Sequence, residues 1–232
     1  MRLLIFSDIH GNQYAWRAFL QKIEHMQYDV MAFLGDIFGY YYAQDEIITG
    51  LCLVEDLIWL KGNHDQLFLD LLDGKEDLNV LTEHYGHTYE QAYSSGNWMR
   101  EIIALRPTSY ELVADEHRIL FCHGTPSNPL HGRCYPRDMW GPSDCGPYDI
   151  VFCGHTHFRM VRQSNNKLWI NVGSLGQPRD GNRSGALLFE SNTCEFEYVD
   201  ITYDKAPLFE EIQQKDPYLP KLKDILKRER ES

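Results

Sequence analysis

Short apolar runs, each cut off by a polar cluster, set the rhythm of the first part of the chain. Leu3–Phe6 is one such run, and it gives way at once to Ser7-Asp8-Ile9-His10-Gly11-Asn12. Trp16, Phe19, Leu20 and Ile23 then recur at i, i+3, i+4 and i+7, the spacing of one helix face. Val30–Leu34 is the next strand-like run, stopped by Gly35-Asp36, and Ile47, Ile48, Leu51 and Val54 mark a second amphipathic helix. Leu57–Leu60 is a third run, stopped by Gly62-Asn63-His64-Asp65. Strand, loop and helix in this alternation predict a parallel sheet with helices packed on it.

The pattern then changes twice. From about 66 to 106 it is mostly helical, with Leu67, Leu71 and Leu72 on one piece and Trp98, Ile102, Ile103 and Leu105 on another. Asp73-Gly74-Lys75 reads as the turn that closes the first piece. Beyond it come short strands with turn residues between them: Tyr110–Val113, Ile119–Cys122, Ile150–Cys153, Met160–Gln163, Leu168–Val172, Ala186–Glu190 and Phe196–Ile201. Gly124–Pro147 is a long irregular loop rich in Pro and Gly, a kind of segment that usually serves a function. Pro217–Arg230 reads as one amphipathic helix with Leu219, Leu222, Ile225 and Leu226 inward, provided Pro220 falls in its first turn. With no linker and no internal repeat, residues 1–232 are expected to form a single domain, with a helical insertion at about 66–106 and a C-terminal helix at about 217–230.

Five polar clusters stand directly after strand-like runs: Asp8-Ile9-His10, Gly35-Asp36, Gly62-Asn63-His64-Asp65, His123-Gly124 and Gly154-His155-Thr156-His157. In a parallel α/β sheet the carboxyl ends of the strands open onto one edge, where ligands bind. Five of the ten histidines lie in these clusters. Any one of them alone would read as a surface or hydrogen-bonded residue. Their joint recurrence in one context points to a shared site. Carboxylate and imidazole together suit Mn, Fe, Zn or Ni, and no thiolate joins them, which argues against a structural zinc site.

Composition adds a tension. The chain carries 22 Lys+Arg against 34 Asp+Glu, a formal net charge of −12, which is wrong for a protein that grips long nucleic acid through clustered cations. No apolar run reaches the ~20 residues of a membrane span. No secretory signal opens the chain, so a cytoplasmic location away from membranes is expected. The six cysteines show no CxxC pair, and reduced thiols are the expectation. Cys52, Cys122 and Cys153 read as small core residues. Cys134 and Cys145 share the long loop, where a labile disulfide is the alternative to free thiols.

The order DxH, GD, GNHD, HG and GHTH resembles the calcineurin-like metallophosphoesterase superfamily, with all five blocks intact from Asp8 to His157. Asn171–Gly181 and Gly35–Tyr40 further resemble its small bacterial and archaeal phosphodiesterases, some classed as diadenosine tetraphosphatase-like. Val172 stands where family members usually carry Pro. The Arg that follows Gly-Asp in Ser/Thr protein phosphatases is absent, which makes that activity a poor fit. The resemblance implies an α/β (α+β) fold, a four-layer αββα sandwich of two mixed sheets flanked by helices, with a dinuclear centre of two divalent metal ions. It implies that Asp8, His10 and His157 hold one metal, that Asn63, His123 and His155 hold the other, and that Asp36 bridges them. It further implies hydrolysis of a phosphoester, with a metal-bridging hydroxide as nucleophile. His64 is then the general acid, oriented or tuned by Asp65, or else a residue with only an outer hydrogen-bonding role.

Several residues are candidates for substrate contact, each with a plainer alternative. Tyr40, Tyr41 and Tyr42 follow the bridging Asp36 and are able to stack on a base or to pack on a helix; the resemblance favours Tyr40. Arg179 suits a second phosphate or a loop-fixing ion pair. Arg133 and Arg137 suit distal phosphates or a solvated loop, and Trp140 a lid or a local core. Lys221, Lys223, Lys227, Arg228 and Arg230 make the last helix either an anion-binding face or a solvated one. The expected substrate is a small phosphodiester or nucleotide-type ester, and a dinucleoside polyphosphate fits that class. A metal-binding protein-interaction scaffold, a phosphomonoesterase and a nuclease are the alternatives. The oligomeric state is not legible. Two divalent ions against two aspartates and one hydroxide leave the centre at about +1, so the acidic surface sets a size limit on the substrate and does not exclude phosphate.

Overall fold

A computed structural model of the chain describes residues 1–95, 97–181 and 183–228. Two five-stranded mixed sheets form the centre. The first has the order β10-β9-β1-β2-β3, built from β1 (Arg2–Phe6), β2 (Val30–Phe33), β3 (Ile58–Trp59), β9 (Gly185–Glu190) and β10 (Glu195–Asp200). The second has the order β4-β5-β6-β8-β7, built from β4 (Ser109–Ala114), β5 (His117–Cys122), β6 (Ile150–Cys153), β7 (Arg159–Ser164) and β8 (Lys167–Val172). β1, β2 and β3 run parallel in the first sheet, as do β5, β6 and β8 in the second, and the remaining neighbours are antiparallel.

Strand periodicity explains the layers. Leu3 and Ile5 point between the sheets, where they meet Phe121, Phe152 and Ile170, while Leu4 and Phe6 point the other way onto the helices. A strand buried on both faces reads as an unbroken apolar run, as Leu3–Phe6 does. On the helical side lie α1 (Gln13–Ile23), α2 (Gln44–Cys52) and the helices of the insertion: α3 (Asn63–Leu72), α4 (Leu78–Tyr85), α5 (Thr88–Ser94) and α6 (Trp98–Ala104). The architecture is the sandwich expected from the sequence. On the outer face of the second sheet the 124–147 segment with its 3₁₀ turn (Pro142–Cys145) does the covering, and Cys134, Cys145 and Trp169 are buried there with Trp140 and Tyr148 against them.

Some details differ from the sequence pattern. Cys52 is exposed and not a core residue, because it falls at the end of α2, one position off its buried stripe of Ile47, Ile48 and Leu51. Leu20 is also exposed, while Trp16, Phe19 and Ile23 carry the buried face of α1. Cys134 and Cys145 are free thiols. The end of the chain holds two helices, α7 (Ala206–Lys215) and α8 (Lys221–Lys227), where the pattern gave one over 217–230. Pro220 lacks an N–H and cannot continue a helix from before it, so it sits at the cap and α8 begins after it. Arg230, counted among the cations of the last helix, lies outside the described residues.

Candidate active site and metal centre

All five polar clusters follow the carboxyl ends of parallel strands: β1, β2 and β3 of one sheet, β5 and β6 of the other. The two edges meet because the loops touch. A Cβ on Gly154 would land on Ser7 and the Asp8 carboxylate, and one on Gly62 would land on the Asp36 carboxylate. Gly154 thus lets the loop after β6 close on the loop after β1 of the other sheet, and Gly62 lets the loops after β2 and β3 close on each other within the first.

The backbone is bent hard at the site. Asp8, His10, Asp36, His155 and His157 all lie in the left-handed region, with φ of 55°, 51°, 68°, 66° and 64°. Side chains pay roughly 1–2 kcal/mol for that conformation, and such strain collects at functional sites. It is held here by hydrogen bonds from the opposite loop: Asp8 N donates to Gly35 O at 2.9 Å and His10 N to Asp36 O at 3.0 Å.

Two clusters of ligand-type atoms result. Asp8, His10 and His157 form one and Asp36, His123 and His155 the other, and all six are buried. In the first, His10 Nε2 and His157 Nε2 are 3.0 Å apart, and Asp8 Oδ1 lies 3.7 Å and 3.3 Å from them. In the second, His123 Nε2 lies 3.3 Å from Asp36 Oδ2, 3.2 Å from His155 Nδ1 and 3.0 Å from Asn63 Oδ1. Asp36 Oδ2 is also 3.7 Å from His10 Nε2, so it faces both clusters.

The donor set fits divalent cations. Asp8 Oδ1 and Asp36 Oδ2 are buried without a hydrogen-bond partner, while their sister oxygens accept from His155 N at 3.1 Å and His64 N at 2.8 Å. One oxygen of each carboxylate is thus pinned and the other is left for an ion. The histidines are set the same way. Nδ1 of His10, His123 and His157 faces Phe38 O, Leu34 O and Gln177 O at 2.7, 3.0 and 2.7 Å. A carbonyl fixes the proton on Nδ1 and turns the Nε2 lone pair inward, as metal-ligating histidines require. His155 is the exception, because its Nε2 accepts from Arg133 Nε at 3.1 Å. A cation on Nδ1 needs the ring proton on Nε2, so coordination there and this hydrogen bond exclude each other.

The electrostatics follow. Burial works against the charge on Asp8 and Asp36, but facing imidazoles, His157 for the first and His123 for the second, hold both carboxyls well below their usual range. Burial lowers His10, and it lowers His155 to about 3. His123 would be lowered by burial too, but the Asp36 carboxylate overrides this and raises it to about 9.

His64 is buried beside this centre, its ring 5.0 Å from that of His10, and burial lowers it to about 4. Its Nδ1 meets the Tyr89 hydroxyl at 2.8 Å. Asp65 does not touch the imidazole. Its carboxylate accepts from the backbone N–H groups of Gly62, Ile37, Asp36 and Phe38 at 2.8, 2.8, 2.9 and 3.3 Å. The expected partner of His64 is therefore corrected: Asp65 is spent on the loop that carries Asp36, and Tyr89 of the insertion holds the ring. Nothing in the local pattern marks Tyr89, which is set by how α5 packs on α3.

A cavity of about 140 Å³ opens over the clusters, lined by Asn63, His64, Tyr40, Arg133 and Arg179 among others. Tyr40 lies there with its ring 4.7 Å from His10, its hydroxyl accepts from Arg179 Nη2 at 3.2 Å, and burial raises it to about 12. Tyr41 and Tyr42 are core residues instead, with hydroxyls donating to Leu222 O and Asp216 Oδ2 at 3.1 and 2.6 Å. Arg137 is exposed and does not line this cavity, and Trp140 packs on the outer face of the second sheet. Tyr85 and Tyr135 line the cavity without any prior signal in the pattern.

Comparison with known proteins agrees with this geometry. A family model, the calcineurin-like phosphoesterase superfamily domain, matches residues 1–193, and the chain belongs to that superfamily of metallophosphoesterases. It is 28% identical over 237 residues to an uncharacterized protein of Methanocaldococcus jannaschii, covering 90% of this chain and 91% of that one. Its fold is similar to that of a hypothetical protein from Pyrococcus horikoshii OT3, with a TM-score of 0.78 at 20% identity over 97% of this chain and 96% of that one. It is also similar to a metallophosphoesterase from Sphaerobacter thermophilus, with a TM-score of 0.76 at 21% identity over 97% and 100% of the two chains. Among the described residues no helix is long and apolar enough to cross a membrane.

Proposed function

We propose that the protein is a dinuclear metal-dependent phosphodiesterase acting on a small nucleotide-type ester. The observation that carries this reading is the pair of buried carboxylate oxygens, Asp8 Oδ1 and Asp36 Oδ2, left without partners and ringed by imidazoles whose Nε2 atoms are turned toward them by carbonyls on Nδ1. Asp8, His10 and His157 would hold one cation, Asn63, His123 and His155 a second, and Asp36 both. When bound, two such ions supply Lewis-acid polarisation of phosphoryl oxygens and acidify water. Mn or a similar first-row ion suits this N/O donor set.

The chain's own groups do the rest. Arg133 and Arg179 reach into the cavity and pair with non-bridging phosphate oxygens, and the Tyr40 hydroxyl donates beside them. His64, held at Nδ1 by Tyr89, turns Nε2 toward the leaving oxygen and delivers its proton there. Burial disfavours the charged ring, and an anionic phosphate against it raises its affinity for a proton. Burial of the centre excludes bulk water, which strengthens each of these contacts. A net charge of −12 supports a small substrate over a long polyanion.

The test is a panel of nitrophenyl phosphomonoesters and phosphodiesters, cyclic nucleotides and dinucleoside polyphosphates, assayed with Mn²⁺-loaded protein. Hydrolysis of a diester, abolished by chelation, is expected. Metal-loaded protein inert on every member contradicts the enzyme and favours a binding scaffold. Preference for monoesters contradicts the diester reading alone.

A further inference from the structure

A second cavity of about 410 Å³ adjoins the first and shares Tyr40, Tyr85 and Arg179 with it. Its far wall is α8, which contributes Lys221 and Ile225, with Arg228 just past its end. Three cationic side chains thus face one space in a chain whose net charge is −12. Among the described residues no carboxylate pairs with them. The one acid of this wall, Asp224, pairs with Lys227 at 3.6 Å, and among the described residues Arg179, Lys221 and Arg228 have no ion pair. Arg179 gives Nη2 to the Tyr40 hydroxyl and to Gln177 Oε1 at 3.2 and 3.4 Å, while its Nε is buried without a partner. Gathering uncompensated cations around a cavity costs free energy that an anion recovers.

We propose that this cavity is a second anion subsite of the same active site, walled by α8, and that the substrate is a small phosphoester carrying a further phosphate beyond the scissile one. The proposal rests on the phosphodiesterase reading of the metal centre. Arg179 stands at the junction of the two cavities, so it is placed to contact phosphates on both sides. The second phosphate lies between Arg179, Lys221 and Arg228. The space is larger than a phosphate, and the Tyr85 ring with Leu222 and Ile225 offers an apolar wall to the organic part that follows. A diester with a single phosphate leaves this subsite unused.

The experiment compares AMP and ADP as competitive inhibitors of bis(p-nitrophenyl) phosphate hydrolysis by the Mn²⁺-loaded full chain. ADP is expected to bind about tenfold more tightly than AMP, the worth of one or two part-exposed charge-assisted contacts. Lys221→Ala/Arg228→Ala, two exposed positions, is expected to bring that ratio to about one. Equal inhibition by AMP and ADP in the parent protein, or a preference that survives in the double variant, overturns the subsite and leaves the phosphodiesterase reading intact. Absence of diester hydrolysis strikes that reading instead. The subsite is then read by calorimetric titration of ADP into metal-free protein: weaker binding in the double variant supports it, and identical binding overturns it.

Discussion

Asp65→Ala is the substitution that most sharply separates two roles for one carboxylate. The side chain is fully buried and accepts from four backbone N–H groups, of Gly62, Asp36, Ile37 and Phe38, at 2.8 to 3.3 Å. Burial, with Asp36 nearby, raises its carboxyl to about 6 even though three of these donors pull the other way. Removing the acceptor strands four buried donors, each worth about 1–3 kcal/mol when unsatisfied. Water entering the vacated space recovers part of this, and the longest of the four bonds contributes least. The expected loss is about 3–5 kcal/mol of unfolding free energy, among the larger effects of a single substitution. In a domain of this size that is a fall in melting temperature of about 6–20 °C. Chemical denaturation of the metal-free protein measures it, and a metal titration alongside should show weaker binding, because the freed loop carries Asp36. Asp65→Asn should fall between, since its amide keeps one acceptor but turns a donor toward a donor. Stability within about 1 kcal/mol of the parent, unchanged metal affinity and a lower turnover would refute this and return Asp65 to a role on His64.

His64→Ala is expected to keep both cations and lose about 100-fold or more in turnover on an alkyl diester, the usual worth of a positioned proton donor, and a parent-like rate would exclude the acid role. Tyr89→Phe removes the hydroxyl on His64 Nδ1 and should lower kcat by roughly 3- to 10-fold with KM held, about the worth of one hydrogen bond; unchanged kcat would show that packing alone orients the ring. Gly62→Ala drives a methyl into the Asp36 carboxylate and should abolish tight binding of metal while leaving a folded chain, as circular dichroism and calorimetry would report.

The convergence of the candidate metal-binding residues was legible in the sequence because they sit on strand ends, and strand ends are marked by apolar runs that stop abruptly. Asp8, His10, Asp36, Asn63, His123, His155 and His157 all meet in space, as their common context implied. The same logic found the strands, since burial on both faces leaves a continuous apolar signature. It could not find what depends on packing between distant elements. Tyr89 and Tyr85 reach the site only because the insertion folds back over it, and neither carries a local mark. Asp65 is adjacent to His64 in sequence, yet adjacency on a helix turns the two side chains apart, and the carboxylate faces the neighbouring loop. Tyr40 and Tyr41 diverge for a similar reason: Tyr40 has a left-handed φ of 71°, which sends the next residues into the core under α7 and α8. Pro220 marked the start of the last helix, which was read a few residues early, and α7 was missed because only Leu208 and Ile212 mark its buried face.

The most direct test of the central claim is a titration of Mn²⁺ into chelator-treated protein with bound metal and diester hydrolysis followed together. Two buried clusters sharing Asp36 predict activity that rises with cation and levels at two per chain. Full hydrolysis in the metal-free protein, or two bound cations with no hydrolysis of any phosphoester, would contradict it.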